Sequence, residues 1–213
     1  MNIQRFTIPD TYEITAMKID ATDYSVWIAC KTQTARLCKL FKKDALGPDQ
    51  TFFEIDVVAD EITGIDIYDG SVYIAVEDDT YLAYAYDTTN PLGVNYSVTK
   101  SAAGVTEGAV SITVGPTSVS DEDDFVYILT PGTEAGEYAT VIKMTAAPDF
   151  TLDAYVIMDG PSDNEPINNA SVIKVDSAED VWVATNTSPS YLVKIDKDEF
   201  DGDGDYETFT IEE

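Results

Sequence analysis

Apolar and polar residues alternate along this chain in short runs, and one apolar tetrapeptide returns four times. It reads Val26-Trp27-Ile28-Ala29, Val72-Tyr73-Ile74-Ala75, Val126-Tyr127-Ile128-Leu129 and Val181-Trp182-Val183-Ala184, its aromatic positions 46, 54 and 55 residues apart. An acidic turn precedes each copy, at Asp20–Asp23, Asp69-Gly70, Asp121–Asp124 and Asp176–Asp180. Before each turn lies an alternating segment, Ile14–Ile19, Ile62–Ile67, Val110–Val114 and Val172–Val175. After each tetrapeptide a polar turn leads to a third segment, seen in Leu37–Leu40, Leu82–Ala85, Val141–Met144 and Leu192–Ile195. A fourth carries an aromatic-x-Ile/Val signature, at Phe53–Ile55, Tyr96–Val98, Tyr155–Ile157 and Phe209–Ile211. Each is β-branched or aromatic and bounded by turn residues, which predicts strands. No helical period stands out. The fold class is all-β.

Four strands per repeat of about 50 residues is the unit of a β-propeller blade, the first strand innermost and the fourth at the rim. The reading is one propeller domain over residues 1–213, with blades near 10–56, 57–100, 108–158 and 168–213. Two packed sandwiches could also hold sixteen strands, but they do not predict the tetrapeptide's regular return. The rim signature occurs once more, at Phe6–Ile8, so residues 1–9 form an extra N-terminal strand. Its use stands open between a strand folded against its own rim, a five-stranded seam, a larger ring built from several chains, and strand addition to a neighbouring subunit. Phe6 and Ile8 are therefore interface candidates.

Phe6-Thr7-Ile8-Pro9 followed by Ile14-Thr15 and Val26-Trp27 resembles the streptogramin-lyase-like and NHL-type propellers. Asp180–Ala184 followed by Leu192–Asp196 is similar to the same pattern. The likeness is strong in the first and last blades and holds in outline in the middle two. It implies architecture and little else, because such blades serve lyases, lactonases, sensors and adhesins alike. The lyase activity it suggests uses a catalytic histidine, and this chain has none.

Composition narrows function further. Forty acidic against 12 basic residues give a net charge of −28, which repels phosphate backbones and anionic lipid. Nucleic-acid binding and membrane insertion are therefore not expected. The absence of histidine removes Ser-His-Asp and Cys-His nucleophiles and His-ligated zinc. Asp outnumbers Glu by 26 to 14 and Lys is scarce at 10, a surface suited to high salt. The two Arg residues against those 10 Lys are not what a salt-loving archaeon leads one to expect. No apolar run approaches the ~20 residues of a membrane span. The first residues lack a secretory pattern, which points to synthesis in the cytoplasm.

Several residue groups carry candidate chemistry. Asp201, Asp203 and Asp205, with Glu207 and Glu212, match the offsets of an EF-hand-type calcium loop, although Tyr206 stands where that loop has Gly. The acidic turns would make one anionic face, or simply serve as Asp-favouring corners. Lys31, Arg36, Lys39, Lys42 and Lys43 crowd five of the 12 basic residues into one hairpin. Lys39, Lys42 and Lys43 are the candidates for docking on the acidic face of the next copy. Cys30 and Cys38 face each other if Gln33–Ala35 is the loop, which would permit a strained disulfide; two such cysteines otherwise read as reduced core residues.

The longer connections, Thr99–Gly108, Pro131–Tyr138 and Asp159–Asn169, belong to the opposite face and are where a ligand would bind. A calcium-dependent lactonase-like hydrolase would draw on Asp60, Glu61, Asp159, Asn168 and Asn169 there. The leading expectation is a non-enzymatic structural or interaction propeller. It would sit in an extracellular assembly, specifically a virion capsid, tail or spike, among subunits of that assembly or further copies of itself. A monomeric adhesin or ligand-binding propeller is the alternative.

Overall fold

The computed structural model describes residues 8, 11–43, 52–93, 95–115, 124–133, 138–159, 167–200 and 206–211. They form four antiparallel four-stranded sheets, each a meander in chain order. Sheet 1 holds β1 (Glu13–Ile19), β2 (Val26–Lys31), β3 (Cys38–Lys43) and β4 (Phe52–Val57). Sheet 2 holds β5 (Glu61–Tyr68), β6 (Ser71–Glu77), β7 (Tyr81–Asp87) and β8 (Asn95–Thr99). Sheet 3 holds β9 (Ser111–Gly115), β10 (Phe125–Thr130), β11 (Thr140–Thr145) and β12 (Leu152–Ile157). Sheet 4 holds β13 (Ala170–Val175), β14 (Val181–Thr185), β15 (Ser190–Ile195) and β16 (Glu207–Ile211). The four strand segments of every repeat fall on these sixteen strands, and each tetrapeptide is the core of a second strand.

Helix is confined, among the described residues, to one turn, α1 (Lys100–Ala103), in keeping with an all-β chain. Thr99 caps its start, Oγ1 accepting from Ala102 N at 3.1 Å, and Gly104 closes it at φ 73°. The turn is too short to carry a helical period, which is why the pattern misses it.

The tetrapeptide explains how the sheets stack, because successive side chains of a strand point to opposite faces. Trp27 and Ala29 pack with Ile62, Val72 and Ile74 of sheet 2. Tyr73 and Ala75 pack with Val126 and Ile128 of sheet 3. Tyr127 and Leu129 pack with Val181 and Val183 of sheet 4. At each of these three junctions the second and fourth residues of the earlier copy thus face the first and third of the later one. Trp27, Tyr73 and Tyr127 are all buried at these junctions. Each such side chain contributes roughly 1.5–3 kcal/mol by leaving water.

The first strands lie side by side in chain order, β1 on β5, β5 on β9 and β9 on β13. Lys18 of β1 bonds Asp66 of β5 at 2.5 Å, and Asp66 accepts from Thr113 Oγ1 (3.2 Å) and Val114 N (3.1 Å) of β9. The approach is close. A Cβ on Gly64 would stand 3.1 Å from Ile112 N. β13 and β1 make no comparable contact, and the four sheets are not closed into a barrel.

Cys30 pairs with Lys39, and Cys38 with Lys31, so the two cysteines lie on opposite faces of sheet 1. Cys38 faces sheet 2 and Cys30 faces away, both buried and reduced. The register differs by one residue from a Cys30–Cys38 pairing, because the connection runs from Thr32 to Leu37. Thr32 Oγ1 bridges it by bonding Leu37 O at 2.7 Å, and Arg36 takes a left-handed φ of 58°.

Candidate functional site

Three regions of the array have functional geometry: the acidic turns, a cavity at the opposite end of the strands, and the outward faces of the first and last sheets.

At the turns, the aspartates are engaged in the backbone. Asp20 Oδ1 accepts from Thr22 N at 2.7 Å, and Asp23 Oδ1 from Ser25 N at 2.8 Å. Asp176 accepts from Ala178 N at 2.8 Å and, through Oδ2, from Trp182 Nε1 at 2.8 Å. The indole bond, helped by backbone donors, holds the Asp176 carboxyl below its ordinary range. Asp180 pairs with Lys194 at 2.8 Å. This is turn chemistry of the kind that favours aspartate at tight corners. Asp121 and Asp123 lie outside the described residues.

The basic hairpin is likewise committed within the chain. Lys42 is only 6% exposed, donates to Thr88 O of sheet 2 at 2.7 Å, pairs with Asp23 at 3.3 Å and lies over the Trp27 ring. Lys39 binds Glu54 at 2.7 Å and also Asp56, which raises the pKa of its ammonium. Arg36 reaches across to Asp78 (2.8 Å) and Asp79 (2.9 Å) of sheet 2. Lys43 ends β3, half-buried.

A cavity of about 560 Å³ opens where the first strands of sheets 2, 3 and 4 begin. Asp60, Glu77, Asp78, Asp79 and Glu107 make its wall acidic, and Lys100 is its cationic lining residue. Asp78 is tied by Arg36 and by the Thr80 and Tyr81 amides; burial alone would raise its pKa, but these bonds win and lower it. Buried Glu107 accepts from Gly132 N (2.5 Å), Thr133 N (2.6 Å) and Thr133 Oγ1 (2.8 Å), holding these two residues just after β10. Two carboxylates thus shape the wall. Asp60, Glu77 and the polar Asn169 and Asn186 are placed to accept from hydroxyl or ammonium groups.

The residues considered for hydrolase chemistry do not meet at one point. Asp60 and Asn169 line this cavity, Asp159 lines another of about 430 Å³ beside α1, and Glu61 pairs with Lys31 at 2.9 Å. Asn168 accepts from Asn169 Nδ2 at 3.4 Å.

Of the calcium candidates, Asp201, Asp203, Asp205 and Glu212 lie outside the described residues, and Glu207 opens β16, exposed and paired in register with Lys194. Among the described residues, no three Cys, Asp or Glu side chains form a metal-binding group. Nor is any helix there long and apolar enough to cross a membrane.

The pattern reading missed Glu107, Lys100 and the Glu77–Asp79 run. One signal was available. β-Bulges fall at Thr15, Thr63 and Ser171, near the starts of three first strands, where Ile14-Thr15-Ala16 and Ile62-Thr63-Gly64 repeat. Bulges re-aim side chains at sheet ends. Here they bring Thr63 and Ser171 to the cavity.

The outward faces come last. Sheet 1 turns Ile14 (57% exposed), Met17 (62%) and Ile19 (55%) away from sheet 2. Behind them Ile28, Cys30 and Phe41 are covered by Ile8 and Tyr12 of the N-terminal segment. Ile8 therefore packs on its own sheet, and Phe6 lies outside the described residues. Sheet 4 turns Val172, Trp182, Phe209 (44%) and Ile211 (52%) away from sheet 3, with the Trp182 and Phe209 rings 6.0 Å apart. No protein-family model matches this chain, and no curated protein matches it.

Proposed function

We propose that the four sheets are consecutive blades of a β-propeller-type array, similar at the level of the repeat to the streptogramin-lyase-like and NHL-type propellers. In this reading the protein is a non-enzymatic interaction module of an extracellular assembly, a virion component in particular. The observation that carries it is the exposed apolar side chains at both ends of the stack, Ile14, Met17 and Ile19 on sheet 1 and Val172, Phe209 and Ile211 on sheet 4. Faces of that kind on an otherwise strongly charged surface mark protein contacts. The experiment is quantitative mass spectrometry of particles sedimented from the medium of the source culture. Enrichment of this chain in stoichiometric proportion to the major particle protein supports the reading. Its confinement to the soluble cell fraction overturns it.

A second reading, a ligand-binding propeller, is favoured by the cavity walled by Asp60, Glu77 and Glu107. A small polyol or polyamine is the ligand class its acceptors suit, and a ligand-dependent rise in melting temperature tests it. Calcium is the cation proposed for the Asp201–Asp205 run with Glu207 and Glu212, on the spacing of the sequence alone. A calcium-dependent melting shift lost in the Asp201→Asn/Asp203→Asn double variant tests that site.

A further inference from the structure

The three junctions inside the chain follow one rule, and the two end faces are the unmatched halves of a fourth. Each junction sets the second and fourth tetrapeptide residues of one sheet against the first and third of the next. In each, the second strand of the earlier sheet also leans on the first strand of the later one, as β2 does on β5, β6 on β9 and β10 on β13. Sheet 4 ends with Trp182 and Ala184 facing outward and half-buried, with Val172 exposed beside them. Sheet 1 begins with Val26 and Ile28 facing outward and with Ile14, Met17 and Ile19 of β1 bare. The segment carrying Ile8 and Tyr12 covers sheet 1 over Ile28, Cys30 and Phe41. The tetrapeptide half of the rule is thus met on sheet 1 by Ile8 and Tyr12, and the first-strand half, β1 with Met17 and Ile19, is left exposed.

We propose that the outward face of sheet 4 docks on the outward face of sheet 1 of a second copy, head to tail, with β14 leaning on β1 as β2 leans on β5 within the chain. This rests on the reading of the chain as an interaction module and names its partner. Val172 and Trp182 of one copy lie against Met17 and Ile19 of the other, while Phe209 and Ile211 cover the segment seated on sheet 1. Two copies joined twice in this way close eight sheets into one ring, at the upper end of common propeller sizes. The contact is heterologous, so the two faces are distinct and separately breakable. One position tunes it. Lys18 and Asp66 hold equivalent places in their first strands, opposite Trp27 and Tyr73, and they pair across the first junction. Lys174 holds that place opposite Trp182, so the proposed junction brings it to Lys18 of the second copy.

The test is the mass of the full chain by light scattering and sedimentation over a range of concentrations. The expected species is twice the 23.3 kDa chain. Met17→Asp/Ile19→Asp on one face, and Phe209→Asp/Ile211→Asp on the other, each raise its dissociation constant roughly thirtyfold or more. These side chains are exposed, so each variant keeps the parent's circular dichroism and melting behaviour. Mixing the two variants restores a dimer through the one junction that keeps both faces intact. Lys174→Asp tightens assembly by placing a carboxylate beside Lys18.

A monomer at every concentration overturns the proposal, as does a dimer that only one face's variant dissolves. A monomer that still sediments with particles overturns the junction and leaves the assembly reading standing. A ring absent from particles does the reverse.

Discussion

Lys18 and Asp66 fasten the first strands of two successive sheets, the ammonium 2.5 Å from a carboxylate that is itself only 6% exposed. The same carboxylate accepts from Thr113 Oγ1 and Val114 N, so one side chain of β5 holds β1 on one side and β9 on the other. Removing it strands a buried amide and a hydroxyl, whereas removing Lys18 leaves Asp66 with its other donors. Asp66→Ala is expected to cost about 2–3 kcal/mol, from the loss of several bonds to a buried charged group. Lys18→Ala should stay within about 1 kcal/mol, because that lysine is partly in water. Urea denaturation of both variants checks the ratio; equal losses would mean that the ion pair, not the bridge to β9, is what matters.

How far the fold is legible follows from the same residues. Trp27, Tyr73, Tyr127 and Trp182 recur in phase with turns and strands, so the sixteen strands and their grouping by four read directly from the pattern. Register does not. Pairing depends on turn conformation, and the Thr32–Leu37 connection with left-handed Arg36 sets Cys30 against Lys39 instead of Cys38. The cavity is legible only in outline, since it belongs to the long connections. Its shaping carboxylate, Glu107, bonds amides 25 and 26 residues away, a relation no local pattern encodes. Lys42 reads as a surface cation because Lys usually is one; packing instead buries it and ties sheet 1 to Thr88, just after β7.

Opposite faces and burial make Cys30 and Cys38 inert in the folded chain, their thiols pushed up to about 11 by burial. A disulfide reagent at pH 8 should leave both unmodified in buffer and label both in urea. The pH dependence has a definite sign. Unfolded thiols titrate near 8.5, so above that pH the unfolded chain sheds protons the folded one keeps, and stability falls through about 11. Tyr86 and Tyr127, pushed up to about 12 by burial, extend the fall upward. At the acid end, Asp87 is held below its ordinary range by bonds from Thr89, and Asp176 by the bond from Trp182. Their contribution is present above about pH 4 and is lost as pH falls below it. Urea midpoints measured from pH 3 to 11 should trace a dome; a midpoint that climbs above pH 9 contradicts the burial argument.

A chain of net charge −28 repels itself over distances that salt controls. The screening length falls from about 30 Å at 0.01 M to about 3 Å at 1 M, so folding should strengthen across that range. The melting temperature is expected to rise steadily with sodium chloride. The same rise should follow ionic strength when sodium chloride is replaced by potassium chloride. A melting temperature that is flat or falls with salt would show that the acidic turns, already hydrogen-bonded to backbone, carry no net repulsion.

The cavity wall supplies the sharpest local test. Glu107 is buried and receives three bonds from Gly132 and Thr133, while Gly132 holds φ 65°, with no room for a side chain against Ala139 N. The carboxylate therefore pins a backbone position that only glycine fits, and Pro131 and Thr133 on either side of it line the cavity. Glu107→Ala leaves two amides without their acceptor and is expected to cost about 1.5–3 kcal/mol. Glu107→Gln, which retains one acceptor oxygen, should fall between it and the parent. The distinguishing readout is local. Amide exchange at Gly132 and Thr133 should quicken in both variants far more than in β6 or β10. A uniform change across all sheets would mean that Glu107 supports the core rather than the wall. Any ligand taken up by the cavity should then lose affinity in Glu107→Ala in step with the exchange rates at those two amides.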